Sequence, residues 1–197
     1  MVIAIFAGMQ FGLPGCKKEN NNSDQNYYFK ATFDGVSYLQ NITATNGYAA
    51  TSNITSPDAV NGASITGGIG PTDIYATTTA MYFTRASANN YSSSTIDQFN
   101  AYFAPGIYTY TTSPDRASGK TFSVGFRDNS GQWWETFAGS ADQTNSKIQI
   151  ISIANADSTS NYYIKVKILF SCNLYNETTG EEKTLTNGEF YGVFGKL

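Results

Sequence analysis

The feature that most constrains the fold is a segment in which apolar and polar side chains alternate. Between residues 162 and 172 the even positions are mostly apolar or aromatic: Tyr162, Ile164, Val166, Ile168, Phe170 and Cys172. The odd positions are Tyr163, Lys165, Lys167, Leu169 and Ser171. Successive side chains of a β-strand point to opposite faces, so this alternation predicts a long strand with one buried face. Cys172 then lies in the core, where a free cysteine behaves as a small apolar residue.

The chain from residue 27 onward has the composition of many short strands. Tyr, Phe, Thr, Val and Ile occur in short runs separated by Gly, Asn, Asp and Ser, which is typical of a β-sandwich or barrel. We predict strands at 27–33, 36–44, 62–68, 73–84, 97–103, 106–112, 120–128, 132–138, 147–154, 161–174 and 183–194. Residues 45–61 and the loop around 87–95 show no clear pattern. The predicted fold is all-β, a single antiparallel β-sandwich or partly open barrel of about ten strands formed by residues 27–197.

One hairpin can be assigned a register from its turn. Residues 128–131 read Asp-Asn-Ser-Gly, which is typical of a type I turn followed by a glycine in the left-handed region. In that geometry Phe126 pairs with Trp134 on the inner face of the sheet. Arg127 then pairs with Trp133 on the outer face.

Two further segments predict local structure, a turn and an irregular strand. Residues 176–180 are predicted to form the turn between the last two strands. The strand 147–154 has isoleucines of both parities, Ile148 and Ile150 on one side and Ile151 and Ile153 on the other. Either a bulge interrupts this strand or both of its faces are covered.

The first 26 residues carry signals for export and attachment. Residues 2–13 form an uncharged, largely apolar stretch of twelve, against the roughly 20 that a membrane-spanning helix needs. This predicts a signal peptide over residues 1–15. Leu13, Gly15 and Cys16 resemble the lipobox of bacterial lipoproteins, in which the cysteine is acylated and becomes the mature N-terminus. Residues 16–26 are then the lipidated cysteine and a flexible polar tether.

The composition argues against several classes of function. The 197 residues include no histidine, which removes the usual general base and the commonest metal ligand. With Cys16 lipidated, Cys172 has no cysteine to pair with, so neither a disulfide nor a thiolate zinc site is expected. A net charge of −3 without a basic stripe argues against nucleic acid as a partner. We predict a protein that is not an enzyme and has neither metal site nor cofactor.

The adjacent tryptophans Trp133 and Trp134 provide the best candidate for a binding site. Because neighbouring strand residues face opposite ways, one of the two must lie outside the core. The predicted register makes this Trp133, with Arg127, Glu135 and Phe137 as its outer-face neighbours. A flat aromatic ring flanked by polar groups is typical of sugar-binding faces. The alternative is a purely structural role, in which Arg127 stacks on Trp133 in a cation–π contact or the outer face is covered.

Carboxylates offer weaker candidates. Glu135 with Glu189, or Asp128 with Glu135, are the pairs available for acid–base chemistry, which requires carboxyl groups about 5–9.5 Å apart across a cleft. The spacing in the sequence does not show that either pair converges. The turn aspartates lack the close Asp-x-Asp-x-Asp spacing of a dedicated calcium site; they are Asp24, Asp34, Asp58, Asp73, Asp115 and Asp128.

Three segments resemble small outer-membrane lipoproteins of Bacteroidetes. Residues 29–38 (Phe-Lys-Ala-Thr-Phe-Asp-Gly-Val-Ser-Tyr) resemble their opening strand and turn, and residues 106–108 (Gly-Ile-Tyr) resemble the start of their central strand. Residues 186–190 (Thr-Asn-Gly-Glu-Phe) resemble their closing strand. The resemblance extends loosely over residues 16–194. These proteins are domains of unknown function that are expected to be β-sandwiches or open barrels, so it implies an outer-membrane location and no catalytic residues.

These observations predict a non-catalytic binding or interaction module at the cell envelope. Its lipid on Cys16 would hold it in the outer membrane, on the cell surface or on the periplasmic face, with a glycan or a protein as its partner. The first alternative is a carbohydrate-binding surface lipoprotein of a glycan-uptake system, and the second is a structural envelope protein. A concave face with exposed Trp133 and tyrosines would favour a sugar, and a cleft with two facing carboxylates would favour an enzyme.

Overall fold

The computed structural model describes residues 27–43, 45–58, 62–73, 75–86, 95–111, 121–136, 142–156 and 162–196. The predicted signal peptide (1–15) and the predicted lipidated tether (16–26) lie outside these ranges. Within them the chain forms eleven strands and one short helix. These elements are β1 (Tyr28–Phe33), β2 (Val36–Asn41), β3 (Tyr48–Asp58), β4 (Gly62–Pro71), β5 (Ala80–Ala86), α1 (Ile96–Tyr102), β6 (Gly106–Tyr110), β7 (Thr121–Arg127), β8 (Trp133–Glu135), β9 (Lys147–Ala156), β10 (Tyr162–Tyr175) and β11 (Glu182–Lys196).

All described strands belong to one sheet. The strand order is β2-β1-β11-β10-β9-β6-β7-β5-β4-β3, and β8 pairs with both β7 and β10. The prediction of an all-β fold is therefore confirmed. One detail differs, because β6 and β7 run parallel and make the sheet mixed rather than wholly antiparallel.

The sheet curls until its β3–β4 end reaches β11. The amide of Gly195 donates a hydrogen bond to Ser52 Oγ at 2.7 Å. A Cβ atom on Gly67 would lie 2.5 Å from the carbonyl oxygen of Val193, so a side chain at position 67 would push the two strands apart. Among the described strands the order stays open between β2 and β3. This arrangement is consistent with the predicted sandwich or partly open barrel.

The inside of the curl holds a core dominated by aromatic rings. Phe83 packs on Phe170 and Phe190 with ring centroids 4.8 and 4.7 Å apart. Phe33 meets Trp134 edge to face at 5.1 Å. Each fully buried side chain of this size contributes about 1.5–3 kcal/mol relative to exposure. The core therefore joins strands that are far apart in the sequence.

The alternation of β10 is confirmed. Its even positions from Ile164 to Leu174 are buried, and Cys172 is 1% exposed. In β9 the pairing with β10 shifts between Lys167 and Ile168, where Ile151 is the extra residue. Ile151 is exposed, whereas Ile153 packs against the core. Of the two possibilities for this strand, a bulge or two covered faces, the structure shows the bulge.

The predicted strand 97–103 is wrong, because residues Ile96–Tyr102 form the helix α1. Thr95 caps its N-terminus: the Thr95 side chain accepts from the amide of Gln98 at 3.2 Å. In return the amide of Thr95 donates to the side chain of Gln98 at 2.8 Å. This reciprocal arrangement is a capping box. Phe99 and Phe103, four residues apart, then share the face that packs on the core.

Several strand ends differ from the prediction by a few residues, and two segments, 73–79 and 45–61, differ more widely. The predicted strand 73–84 begins only at Ala80, because Asp73 forms a turn in which its Oδ1 accepts from the amide of Tyr75 at 2.9 Å. The segment 45–61, which showed no pattern, contains β3. Its start is organised by Asn46, whose Oδ1 accepts from the amide of Tyr48 at 3.2 Å.

Two of the segments singled out in the sequence, 29–38 and 186–190, contain residues with positive φ angles. Asp34 and Gly35 have φ values of +47° and +77°, as a two-residue type I′ turn requires between β1 and β2. Asn187 has a φ of +52°, and the pairing of β11 shifts register beside it on both sides. The closing segment 186–190 is therefore a β-bulge, in which a small polar residue adopts the left-handed conformation.

Candidate functional site

The β7–β8 hairpin adopts the predicted register. Phe126 pairs with Trp134, and Arg127 pairs with Trp133. Trp134 is fully buried, whereas 43% of Trp133 is exposed. The predicted division of the two tryptophans between core and outer face is therefore confirmed.

Asp128 organises the turn that holds the two tryptophans. Its Oδ1 accepts hydrogen bonds from the amide of Ser130 at 2.8 Å and from that of Gln132 at 3.1 Å. Its Oδ2 accepts from Trp134 Nε1 at 2.9 Å. Burial by itself raises the pKa of Asp128, but the hydrogen bonds from Ser130, Trp134 and Gln132 outweigh it and lower the pKa. The ionised carboxylate thus joins the turn to the buried indole.

Gly131 completes the turn in the left-handed region, with a φ of +83°. A Cβ atom there would also come within 3.1 Å of Thr77. Both observations explain why glycine occupies the fourth position of the turn.

Arg127 and Tyr82 support the indole of Trp133. The Arg127 guanidinium carbon lies 5.5 Å from the Trp133 ring centroid, which is the cation–π contact considered from the sequence. Arg127 is held there because its Nε donates to the carbonyl oxygen of Thr78 at 2.7 Å. The Tyr82 ring lies 5.8 Å from the Trp133 ring, centroid to centroid. The indole is therefore held in place while much of its surface stays accessible.

A groove with a volume of about 510 Å³ opens beside Trp133. One wall comes from the β7–β8 hairpin and the other from the β10–β11 hairpin. The two meet because Glu135 of β8 pairs with Tyr175 of β10. The described lining residues are Gly131, Gln132, Trp133, Glu135, Tyr175, Asn176, Glu177 and Thr178. The groove therefore combines two aromatic rings with amide, hydroxyl and carboxylate side chains.

The second wall is held by its own turn, at the predicted residues 176–180. The side chain of Asn176 is buried, and its Oδ1 accepts from the amides of Thr178 and Thr179, each at 2.9 Å. The amide of Asn176 donates to the carbonyl oxygen of Glu181 at 2.9 Å. Both walls are thus tight hairpin turns, which keeps the lining side chains in a fixed relation.

The predicted site residues divide into three groups. Trp133 and Glu135 line the groove. Arg127 does not line it but contacts the Trp133 ring through the cation–π interaction. Phe137 lies outside the described residues. Tyr175 and Glu177 were not predicted as site residues. Their position beside Trp133 depends on the pairing of Glu135 with Tyr175, which lies 40 residues further along the chain. The sequence predicted the turn at 176–180 but did not show that this turn lies beside the β7–β8 hairpin.

The carboxylate pairs considered from the sequence do not converge. Glu189 lies opposite Leu169 on β10 and forms ion pairs with Lys30 and Lys167. Asp128 is occupied by its own turn. Among the described residues no three His, Cys, Asp or Glu side chains come together as a metal site would require.

No family model matches this chain, and neither a curated protein nor a solved structure matches it significantly. Over the described ranges, no helix is both long enough and apolar enough to cross a bilayer. The groove beside Trp133 is therefore the feature from which a function can be proposed.

Proposed function

We propose that this protein is a non-catalytic binding module and that its ligand is a saccharide held in the Trp133 groove. The observation that carries the proposal is the accessible, rigidly supported indole of Trp133 beside polar groups from two hairpins. Sugars present an apolar C–H face that stacks on aromatic rings and hydroxyls that bind amides and carboxylates. Gln132 and Glu135 stand on the same wall as the indole and suit these hydroxyls.

The size of the groove also supports a small, polar ligand. Its volume of about 510 Å³ falls within the range of about 300–1,000 Å³ that is usual for small-molecule sites. A short saccharide or the end of a longer glycan would fit such a volume.

The test is a glycan-binding screen on the full-length chain, followed by affinity measurements on variants. We expect Trp133→Ala to weaken binding of any glycan hit at least tenfold, because stacking on the indole is lost. The matched control is Tyr75→Ala, which removes another aromatic side chain that is 85% exposed, and it should bind like the wild type. Equal affinity of Trp133→Ala and the wild type, with both folded by circular dichroism, would contradict the proposal.

Hydrolysis of a glycan is the second candidate, because Glu135 and Glu177 line the same groove. A glycosidase needs one carboxyl group that keeps its proton, which usually requires an apolar pocket. Glu177 is instead exposed in a hairpin turn, so binding suits the groove better than catalysis. Turnover of chromogenic glycosides by the wild type, lost in Glu135→Gln, would favour hydrolysis.

Attachment to the outer membrane through lipidated Cys16 is the second part of the proposal. Its support is the order of signals in the sequence: an apolar stretch, Leu13, Gly15 and Cys16, and then a polar tether. Ten extended residues (17–26) reach at most about 33–36 Å. The tether would therefore keep the groove close to the membrane surface.

If no glycan binds, the exposed Val36 and Leu39 of the terminal strand β2 make a protein partner the next hypothesis.

A further inference from the structure

A second unusual side chain lies at the other end of β5. Ala80, at the start of this strand, pairs with Arg127 beside the groove, whereas Arg85 pairs with Phe122. Five strand residues span about 16 Å, so Arg85 is remote from the groove. Arg85 is fully buried. It is also the residue before the last of β5, which puts it at an end of the sheet.

Aromatic rings from three elements surround the guanidinium of Arg85. Its central carbon lies 4.1 Å from the ring centroid of Tyr102 on α1 and 4.5 Å from that of Tyr108 on β6. The Phe122 ring on β7 is 5.1 Å away and the Phe103 ring, just after α1, is 5.9 Å away. All four rings are within the distance of about 6 Å at which cation–π attraction acts. We call Arg85 with these four rings the arginine cage.

The rings do not satisfy the hydrogen-bonding groups of the guanidinium. Nε, Nη1 and Nη2 of Arg85 are all buried, and none has a hydrogen-bond partner in the part of the chain that the structure describes. A guanidinium carries five N–H donors in one plane, and the face of an aromatic ring is at most a weak acceptor for them. Burying a charged group without acceptors is costly. Within the described ranges, the arginine cage therefore contains no hydrogen-bond acceptor for these donors.

The described carboxylates do not supply this acceptor. The ion pairs found in the described ranges join Glu189 to Lys30 and Lys167, and Asp34 to Lys183. Asp97, on the helix that carries Tyr102, is exposed in its first turn. Burial lowers the pKa of Arg85, and Tyr102 and Tyr108 oppose this shift. An arginine nevertheless stays protonated in proteins, so the charge remains to be matched.

We propose that the arginine cage binds the carboxylate group of a small organic acid. A carboxylate is planar and presents two oxygens that match the two parallel N–H donors of a guanidinium. Four rings lie within about 6 Å of the guanidinium carbon, and a planar carboxylate needs less space beside them than a tetrahedral phosphate or sulfate. The site is independent of the Trp133 groove and of its proposed saccharide.

The test compares melting temperatures of the full-length chain in sodium acetate, benzoate, phosphate, sulfate and chloride at one ionic strength. We expect acetate or benzoate to raise the melting temperature of the wild type by about 5–10 °C when present at a hundredfold excess over its Kd. Arg85→Met keeps the length of the side chain and removes the charge. This variant should respond to the carboxylates no more than to chloride, whereas Trp133→Ala should respond like the wild type.

Several results would overturn the proposal. One is a wild type that melts at the same temperature in the carboxylates as in chloride. Another is an equal shift in the wild type and in Arg85→Met, which would be a general salt effect. A shift that depends on Arg85 but occurs only with phosphate or sulfate would also contradict a carboxylate site. If Arg85→Met does not fold, Arg85→Lys replaces it, because lysine keeps the charge without the planar fork and should lose most of the shift.

Discussion

Glu189 lies on the outer face of the sheet, where three neighbouring side chains lower its pKa strongly. It forms ion pairs of 2.9 Å with Lys30 and with Lys167, and the hydroxyl of Tyr28 donates to the same carboxylate. The hydrogen bond from Tyr28 is the largest cause that lowers the pKa of Glu189 to about 2; burial opposes it, and the two lysines add to it. One carboxylate thereby joins β1, β11 and β10.

This low pKa predicts a loss of stability in acid. Because the folded-state pKa is below the unfolded value, the stabilisation is complete above about pH 4.5 and is lost as the pH falls through about 2. The shift corresponds to about 3 kcal/mol. We expect Glu189→Gln to lower the free energy of unfolding by that order at pH 7, with the difference from the wild type shrinking towards pH 2. Urea unfolding across this pH range measures it.

The control is Glu182→Gln, which changes an exposed glutamate on the same strand. Because Glu182 is exposed, its replacement should change the free energy of unfolding at pH 7 by no more than about 0.5 kcal/mol. A Glu189→Gln difference that is constant from pH 7 to pH 2 would show that the ionised Glu189 carboxylate, with its bonds to Tyr28 and the two lysines, does not produce the stabilisation.

The thiol of Cys172 is buried, as the alternation of residues in β10 predicts. The alternation of β10 predicted a buried thiol, and burial raises the pKa of Cys172 to about 12, although Tyr110 opposes the shift. A thiol with this pKa is almost wholly protonated at neutral pH and is a poor nucleophile. This supports a packing role for the cysteine rather than a chemical one.

At the scale of elements, α1 replaces a strand that the sequence predicted at residues 97–103. Aromatic residues at 99, 102 and 103 favoured a strand, but the capping box of Thr95 and Gln98 starts a helix. The helix brings Phe99 into the core and Tyr102 over Arg85. Its cap therefore also supports the arginine cage.

We expect Thr95→Ala to lower the free energy of unfolding by about 1 kcal/mol, the usual effect of losing an N-cap hydroxyl. Thr95→Ser keeps the hydroxyl and should restore most of the stability. Urea unfolding with tryptophan fluorescence provides the measurement. If the alanine variant is as stable as the wild type, the capping box does not stabilise the helix.

The hairpins were the most predictable elements. The turn Asp128–Gly131 determined a register that the structure confirms, because the left-handed glycine and the Asp128 acceptor are local requirements. The bulge in β9 was one of two explanations for its mixed parity, and only the pairing with β10 decided between them.

At the scale of the whole molecule, the proposed lipid anchor on Cys16 can be tested by labelling. We expect the full-length chain, expressed in a lipoprotein-processing bacterium, to incorporate labelled palmitate. Cys16→Ala should abolish the label because the acylated thiol is lost. The matched control is Cys172→Ala, which removes the other cysteine and should still be labelled. Label in Cys16→Ala would contradict lipidation at this position.

The groove and the arginine cage both depend on contacts between distant parts of the chain. The groove exists because β8 bridges β7 and β10, and the cage exists because α1, β6 and β7 converge on one residue of β5. Neither convergence has a local signal, since the groove requires the β8–β10 pairing and the cage requires the β5–β7 and β6–β7 pairings. This is why Trp133 could be nominated from the sequence, whereas Tyr175 and Arg85 could not.

The sequence by itself determined the all-β class, the buried face of β10, the two hairpin turns and the outward position of Trp133. These features follow from side-chain parity and from the conformations that Gly, Asn and Asp allow within a few residues. The tertiary structure alone decided the strand order, the parallel β6–β7 pair, the helix in place of a strand and the partners of Trp133 and Arg85. Those depend on which apolar faces bury one another, and burial is a property of the assembled sheet rather than of any one segment.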